Sequence, residues 1–183
     1  MAVWVSMLRG INLGARNRVP MPALRDALVA ADFEDVQTYV QSGNIITSSG
    51  HRSRDKVAAL VREVVATNFD VDVPVVVRSP AELTSVLAWN PFPDAAAERP
   101  KLVQVTHLVT TPAPDDVEVL LSAVENTRER IAVRGPEVAV DYVEGIQTSK
   151  VQGAWLTRRL GGVDGTARNW RTLTALCELT ADV

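Results

Sequence analysis

Short β-prone apolar runs and helical apolar stripes alternate along the first half of the chain. Strand-like runs cover residues 2–8, 36–40, 45–48 and 73–78, and apolar residues at helical spacing cover residues 22–31 and 55–69. The predicted order is β-α-β-β-α-β, which is the split βαβ, or ferredoxin-like, pattern. This order predicts an antiparallel sheet with both helices on one face.

The elements that come next mark the end of this first half. Ser79, Pro80 and Glu82 have the spacing of a capping box with proline at the first helical position, so a third helix begins here. Residues 90–93 end that helix, and the Ala-, Pro- and charge-rich stretch 94–100 has the composition of an interdomain connection. We therefore predict two subdomains, residues 1–93 and residues 94–183.

The second half shows a similar order of elements. The pattern predicts a strand at 102–109, a helix at 115–126, hairpin strands at 130–134 and 138–143, and a helix at 150–160. A loop at 162–166 takes the place of the fourth strand, and a C-terminal helix follows from about residue 169 to 179. The predicted fold class is α+β, with two ferredoxin-like halves, antiparallel sheets, a degenerate second half and a C-terminal helix. The residues themselves show no internal repeat.

Composition sets broad limits on function. The chain of 183 residues is 46% hydrophobic, has a formal net charge of -3 and contains one cysteine, Cys177. This is enough apolar material for a sizeable core, and a single cysteine excludes an intramolecular disulfide. The sequence has no signal-peptide pattern and no apolar run near the ~18 residues of a membrane span. We therefore expect a soluble, cytoplasmic protein.

Two polar stretches at the ends of strand-like runs carry the strongest functional signal. They read Arg9-Gly10-Ile11-Asn12-Leu13-Gly14 and Gln41-Ser42-Gly43-Asn44. Arg9 offers a forked donor for phosphate or carboxylate, and the amides of Asn12, Gln41 and Asn44 offer directional hydrogen bonds. Ser42 would need an adjacent base to act as a nucleophile. The same residue types favour turns. The alternative interpretations are a glycine-containing turn after the first strand for residues 9–14 and a hairpin turn for residues 41–44.

Two further segments near the C-terminus complete the candidate set. Ser149 is a natural N-cap for the predicted helix at 150–160, and Lys150 is placed to reach an anion at that helix N-terminus. Asn169 is a good N-cap for the last helix, which leaves Arg168 as the best single candidate for an anion contact. A simple helix cap at Ser149 and a surface ion pair at Arg168 are the alternatives.

The distribution of charge favours an anionic ligand. Residues 9–25 contain four arginines and no acid, and residues 146–171 contain five basic residues and one acid. If these stretches meet, they form a positive patch on an acidic protein; two solvated loops are the alternative. The sequence has no P-loop, dinucleotide fingerprint, zinc pattern or catalytic triad, so we expect no metal and no cofactor.

Taken together, these motifs resemble those of an uncharacterised bacterial family, the domain-of-unknown-function 1697 family. The resemblance runs nearly end to end, through Leu8-Arg9-Gly10-Ile11-Asn12-Leu13-Gly14, Val19-Pro20-Met21, Leu24-Arg25, Thr38-Tyr39-Val40-Gln41-Ser42-Gly43-Asn44, Asn90-Pro91-Phe92, Ser149-Lys150 and Thr166-Ala167-Arg168-Asn169-Trp170-Arg171-Thr172. It implies a two-part α+β protein with ferredoxin-like halves, and it implies no activity. Two departures are Ala15, where a second glycine is common, and Thr47, where an aromatic residue is common.

Three functional hypotheses follow from the sequence. The preferred one is a protein that binds a small anionic or nucleotide-like ligand between its halves, with a pocket lined by Arg9, Asn12, Gln41, Ser42, Asn44, Lys150 and Arg168. The alternative is a non-catalytic interaction or assembly module in which these motifs are structural. Nucleic-acid binding is disfavoured by the net charge and by the lack of paired aromatic residues on the predicted strands. The sequence specifies no reaction and no oligomeric state.

Overall fold

The computed structural model describes residues 1–181 and 183 and groups the chain into two compact units. The first unit comprises Met1–Ser85 and Ala175–Val183, and the second comprises Val86–Thr174. The division at residues 93 and 94 remains a prediction from sequence. The stretch 94–100, expected to be a connection, lies largely within a short helix in which Ala95 and Ala96 are buried.

The first unit has the element order that the sequence predicts. Its elements are β1 (Ala2–Leu8), α1 (Met21–Ala30), β2 (Glu34–Tyr39), β3 (Asn44–Ser49), α2 (Arg54–Phe69) and β4 (Val75–Arg78), followed by the start of α3 (Pro80–Trp89). The four strands form an antiparallel sheet in the order β2-β3-β1-β4. The predicted antiparallel sheet is confirmed.

Helices α1 and α2 cover one face of this first sheet. Trp4 and Leu8 of β1 pack in one buried cluster with Leu24 and Leu28 of α1 and with the valines of α2. Because side chains alternate along a strand, β1 buries Val5 and Met7 on its other face. Packing of two helices on one face is the arrangement expected for a ferredoxin-like unit.

The start of α3 is fixed by the predicted capping box. The N–H of Ser79 donates to Oε2 of Glu82 at 2.8 Å, and the N–H of Glu82 donates to Oγ of Ser79 at 3.3 Å. Arg54 pairs with the same carboxylate at 2.5 Å. Burial alone would raise the pKa of Glu82, but the bonds from Ser79 and Arg54 together lower it.

The second unit contains a complete four-stranded sheet. Its elements are α4 (Pro93–Glu98), β5 (Val103–Leu108), α5 (Pro114–Val124), β6 (Arg130–Arg134), β7 (Glu137–Asp141), a 3₁₀ turn (Ile146–Thr148), α6 (Gly153–Arg159), β8 (Gly165–Asn169) and the start of α7 (Trp170–Ala181). The strand order is β6-β7-β5-β8, which repeats the order of the first sheet. Helices α5 and α6 pack on one face, against Leu108, Val138 and Val140.

Two details of the second half differ from the sequence predictions. Strand β8 occupies the place where a loop was expected, because residues 165–169 pair with residues 104–108 of β5. Helix α6 begins at Gly153 rather than at residue 150, and Ser149 is not its cap. Instead, Oγ of Ser149 accepts a hydrogen bond from the N–H of Val151 at 3.0 Å in the preceding turn. The predicted α7 cap is confirmed, since Oδ1 of Asn169 accepts from the N–H of Thr172 at 2.9 Å.

The strand registers reveal an equivalence between the two sheets that the sequence does not show. Val5 of β1 pairs with Arg78 of β4, and Val105 of β5 pairs with Arg168 of β8. Both arginines are buried, with 1% and 6% exposure, and each donates from Nη1 to the carbonyl oxygen of the residue before it, at 3.0 Å and 2.9 Å. The duplication suggested by element order therefore extends to a matched buried arginine on the fourth strand of each sheet.

Candidate functional site

The loop after β1 is closed by its own asparagines. The N–H of Asn12 donates to the carbonyl oxygen of Asn17 at 2.9 Å, and Nδ2 of Asn17 donates to the carbonyl oxygen of Gly10 at 3.2 Å. The Asn12 side chain exchanges two bonds with the Val19 backbone, at 2.9 Å through Nδ2 and 2.8 Å through Oδ1. Asn12 has a φ of 54°, a conformation that asparagine tolerates better than most residues. These bonds close the loop by joining residues 10–12 to residues 17–19.

The same asparagine ties this loop to the turn between β2 and β3. Nδ2 of Asn12 also donates to the carbonyl oxygen of Gln41 at 2.8 Å. Close by, the N–H of Leu8 donates to the carbonyl oxygen of Gly43 at 2.9 Å. The first two polar motifs of the sequence therefore meet within the first unit. We call residues 9–19 together with 41–44 the polar loop cluster.

Gly43 makes this close approach possible. Its φ is +75°, in the left-handed region. A Cβ at this position would lie 2.7 Å from Cβ of Leu8 and 2.8 Å from Cδ1 of Ile11. A residue without a side chain is therefore required both by the backbone conformation and by the contact with the loop.

The other residues of the second motif divide into buried and exposed ones. Asn44 is fully buried at the start of β3, and its Nδ2 donates to the carbonyl oxygen of Tyr39 at 3.1 Å and to Oγ of Ser42 at 3.0 Å. Gln41 and Ser42 are exposed. The Asn44 side chain therefore shapes the turn, whereas Gln41 and Ser42 present their side chains to solvent.

Arginines dominate the charge of this region. Arg9 is the first residue of the cluster and is half-buried, and its backbone N–H donates to the carbonyl oxygen of Pro74 at 3.1 Å. Arg16 and Arg18 are exposed, and Arg25 donates from Nη1 to Oγ1 of Thr38 at 2.7 Å. Residues 9–25 and 36–44 contain no acidic residue. The charge of these two segments is therefore entirely positive on a chain whose net charge is -3.

The two remaining candidates lie in the second unit. Lys150 is exposed, with Nζ 6.0 Å from the ring centre of Trp155, and it precedes α6 without belonging to its first turn. Arg168 is buried on β8 and donates from Nη1 to Oγ1 of Thr166 at 2.7 Å. Burial lowers the pKa of Arg168 to about 10, so the guanidinium remains protonated at neutral pH.

Buried polar residues that the sequence analysis missed lie close to Arg168 in the second sheet. His107 of β5 is paired with Glu137 of β7 on one side and with Thr166 of β8 on the other. Nδ1 of His107 lies 2.5 Å from Oε2 of Glu137. Thr166 and Arg168 are two positions apart on β8, and this period-two spacing is a signal that would have placed them on one face.

A second buried acid in this unit is neutralised by two arginines. Asp141 is fully buried, and its Oδ2 lies 2.7 Å from Nη2 of Arg99 and 2.8 Å from Nη2 of Arg130. Arg130 also pairs with Asp94 at 2.8 Å, which links α4 to β6 and β7. Such a paired network is expected to hold elements together rather than to bind a ligand.

Other kinds of site find no support in the described part of the chain. Residues 1–181 and 183 contain no group of three or more His, Cys, Asp or Glu side chains able to hold a metal ion. Within the same residues, no helix is both long enough and apolar enough to cross a membrane. Burial raises the pKa of the Cys177 thiol, which argues against a reactive thiolate.

Comparisons with known proteins agree with this fold. A sequence model of the family described as "Protein of unknown function (DUF1697)" matches residues 1–138. The solved structure of the conserved bacterial protein SP0830 from Streptococcus pneumoniae is similar over 97% of both chains, with a TM-score of 0.68 and 20% sequence identity. At this identity the likeness shows a shared fold. None of the curated proteins matches the chain.

Proposed function

We propose that this protein binds a small anionic ligand at the polar loop cluster. The chain belongs to the DUF1697 family of proteins of unknown function. The ligand class is a molecule with phosphate or carboxylate groups, including nucleotide-like molecules. The observation that carries this proposal is the bond from Asn12 to Gln41, which joins two polar segments that together contain arginines and no acidic residue.

The fixed backbone of the cluster supports this proposal. Asn12 uses both of its Nδ2 hydrogens and its Oδ1 on backbone groups of Val19 and Gln41, and Asn17 closes the loop at Gly10. A loop that is already ordered loses less conformational entropy when it binds. A Cβ added to Gly10 or Gly14 would meet nothing within 4 Å, so ligand atoms have room to approach their backbone.

The start of α1 adds a further positive contribution. This helix begins at Met21, directly after the loop, with no acidic residue in its first turn and no side-chain cap. The N-terminal end of a helix carries a partial positive charge that favours anions. The helix dipole and the arginines at positions 9, 16 and 18 therefore favour the same kind of ligand.

The candidate residues take different roles in this proposal. Arg9, Gln41 and Ser42 would contact the ligand, and Asn12 and Asn44 would position the two segments. Lys150 and Arg168 belong to the second unit, and their contribution to the same ligand remains a prediction from sequence. The burial of Arg168 favours a structural role for its guanidinium.

Calorimetric titration with inorganic pyrophosphate tests the proposal. We expect saturable binding by the wild-type protein at low ionic strength, and about fivefold weaker binding when Arg16 and Arg18 are both replaced by glutamine. The control is the double variant Arg52→Gln, Arg158→Gln, which removes the same charge from positions outside the cluster. Equal loss of affinity in the two double variants would show that net charge, and not the cluster, attracts the anion.

A non-catalytic interaction module is the second candidate function. It is favoured by the structural use of Asn12, Gly43 and Asn44 and by Leu13, which is 73% exposed in the loop. This function predicts no saturable binding of pyrophosphate by the wild-type protein. Nucleic-acid binding, the third hypothesis, predicts an affinity that falls steeply as salt is raised, and undetectable binding to RNA and DNA would exclude it.

A further inference from the structure

A small cleft lies at the opposite end of the first sheet from the polar loop cluster. The register pairs Met7 with Asn44 at the cluster end and Ala2 with Ser49 at the cleft end. The cleft has a volume of about 350 Å³. Ala31, Phe33 and Leu60 provide its apolar surface, and Asp32, Ser49 and His51 provide its polar surface. This volume is at the lower end of the range for small-molecule sites.

Asp32 has an unusual backbone for a residue with a side chain. It ends α1 in a Schellman motif, in which its N–H donates to the carbonyl oxygen of Val29 and the N–H of Phe33 donates to that of Leu28, both at 3.1 Å. Glycine is favoured at this position, yet Asp32 stands there with a φ of 62°. Asp32 therefore lines the cleft next to the buried Phe33.

The opposite side of the cleft is also fixed. Nε1 of Trp4 donates to the carbonyl oxygen of His51 at 2.9 Å, and the N–H of His51 donates to Oγ of Ser49 at 3.1 Å. The His51 backbone is thereby held although the residue is exposed. Asp32 and His51, on two separately anchored segments, therefore both line the cleft.

The segment that contains Asp32 is acidic. Residues 31–35 contain three acids, Asp32, Glu34 and Asp35, whereas residues 49–53 contain one arginine, Arg52. Arg54, the next basic residue, is paired with Glu82 at 2.5 Å. An apolar surface with a carboxylate at its edge is suited to an amine whose hydrocarbon body packs on the surface.

We infer that this cleft binds a small organic cation, an alkyl- or arylammonium whose apolar body packs on Ala31 and Leu60 and whose ammonium group pairs with Asp32. The inference is independent of the proposed anion site, because it concerns other residues and a ligand of opposite charge.

Titration of the ¹⁵N-labelled protein with benzylamine, followed by amide chemical shifts, tests this inference. We expect saturable shifts of residues 31–33, 49–51 and 60, and affinity about threefold higher for benzylamine than for neutral benzyl alcohol. The variant Asp32→Asn keeps a residue suited to the left-handed region and removes the charge. It should abolish the preference for the amine while it retains the binding of the alcohol.

The chain provides a matched control for this variant. Asp70 ends α2 in the same left-handed conformation, with a φ of 53°, and it does not line the cleft. Asp70→Asn should therefore keep the threefold preference for the amine. The inference is overturned if benzylamine gives no saturable shifts at the cleft, if wild-type protein binds amine and alcohol equally, or if Asp70→Asn loses as much preference as Asp32→Asn.

Discussion

Replacing Gly43 by alanine places a methyl group where β1 and the loop after it already pack. The new Cβ would lie 2.7 Å from Cβ of Leu8 and 2.8 Å from Cδ1 of Ile11. The Ile11 side chain can rotate away, but Cβ of Leu8 is fixed to the β1 backbone. The Leu8 N–H donates to the Gly43 carbonyl oxygen at 2.9 Å, so separating the two segments breaks this bond as well.

The expected cost of this substitution has two parts. The left-handed backbone, with a φ of +75°, costs about 1 kcal/mol with an alanine side chain. Overpacking against Leu8 and Ile11 adds about 2 kcal/mol. Gly10 is the matched control, because it has a φ of +63° but nothing within 4 Å of an added Cβ, so Gly10→Ala carries only the first part.

Urea unfolding followed by circular dichroism measures both variants. We expect the free energy of unfolding to fall by about 3 kcal/mol in Gly43→Ala and by about 1 kcal/mol in Gly10→Ala, with unchanged dependence on urea concentration. A loss in Gly43→Ala no larger than that in Gly10→Ala would refute the contact between the turn and the loop.

Three further substitutions test other parts of the account by urea unfolding. Asn12→Ala removes three side-chain hydrogen bonds to the backbone and should cost about 2 kcal/mol more than Asn17→Ala, which removes one. Arg168→Ala should cost about 3 kcal/mol, since its guanidinium is buried, and an unchanged pyrophosphate affinity of this variant would show that Arg168 does not contribute to the anion site. The pKa of Glu82 is lowered in the folded state, so its stabilisation is present above the unfolded-state pKa and is lost as the pH falls through the folded-state pKa. Glu82→Gln should therefore weaken the fall in stability below about pH 4.5.

Most of the fold could be predicted because apolar periodicity follows the packing. Side chains alternate between two faces along β1, and apolar residues recur at helical spacing along α2. In each element the apolar side chains on one face therefore pack in the same core cluster. Strand β8 could not be predicted in this way, because Gly165, Ala167 and Asn169 are not typical strand residues. Pairing with β5 along its length overrides their weak local preference.

The candidate site could be predicted in part, for a related reason. Polar motifs follow the ends of β1 and β2. Both strands pair antiparallel with β3, so these two ends lie at the same edge of the sheet. Asn12 contacts Gln41 at this edge. The structural role of Asn12 could not be predicted, because its partners are backbone groups. Every residue has such groups, so the sequence does not reveal which ones a side chain will bind. Arg78 was missed because it ends an apolar run and its equivalence to Arg168 appears only in the strand registers.

The most direct measurement of the central claim is an amide chemical-shift titration of the ¹⁵N-labelled protein with pyrophosphate at low ionic strength. An anion site at the polar loop cluster predicts saturable shifts concentrated in residues 9–19 and 41–44, with little change at residues 31–33 and 49–51. Shifts that do not saturate, or saturable shifts located outside residues 9–19 and 41–44, would contradict an anion site at this cluster.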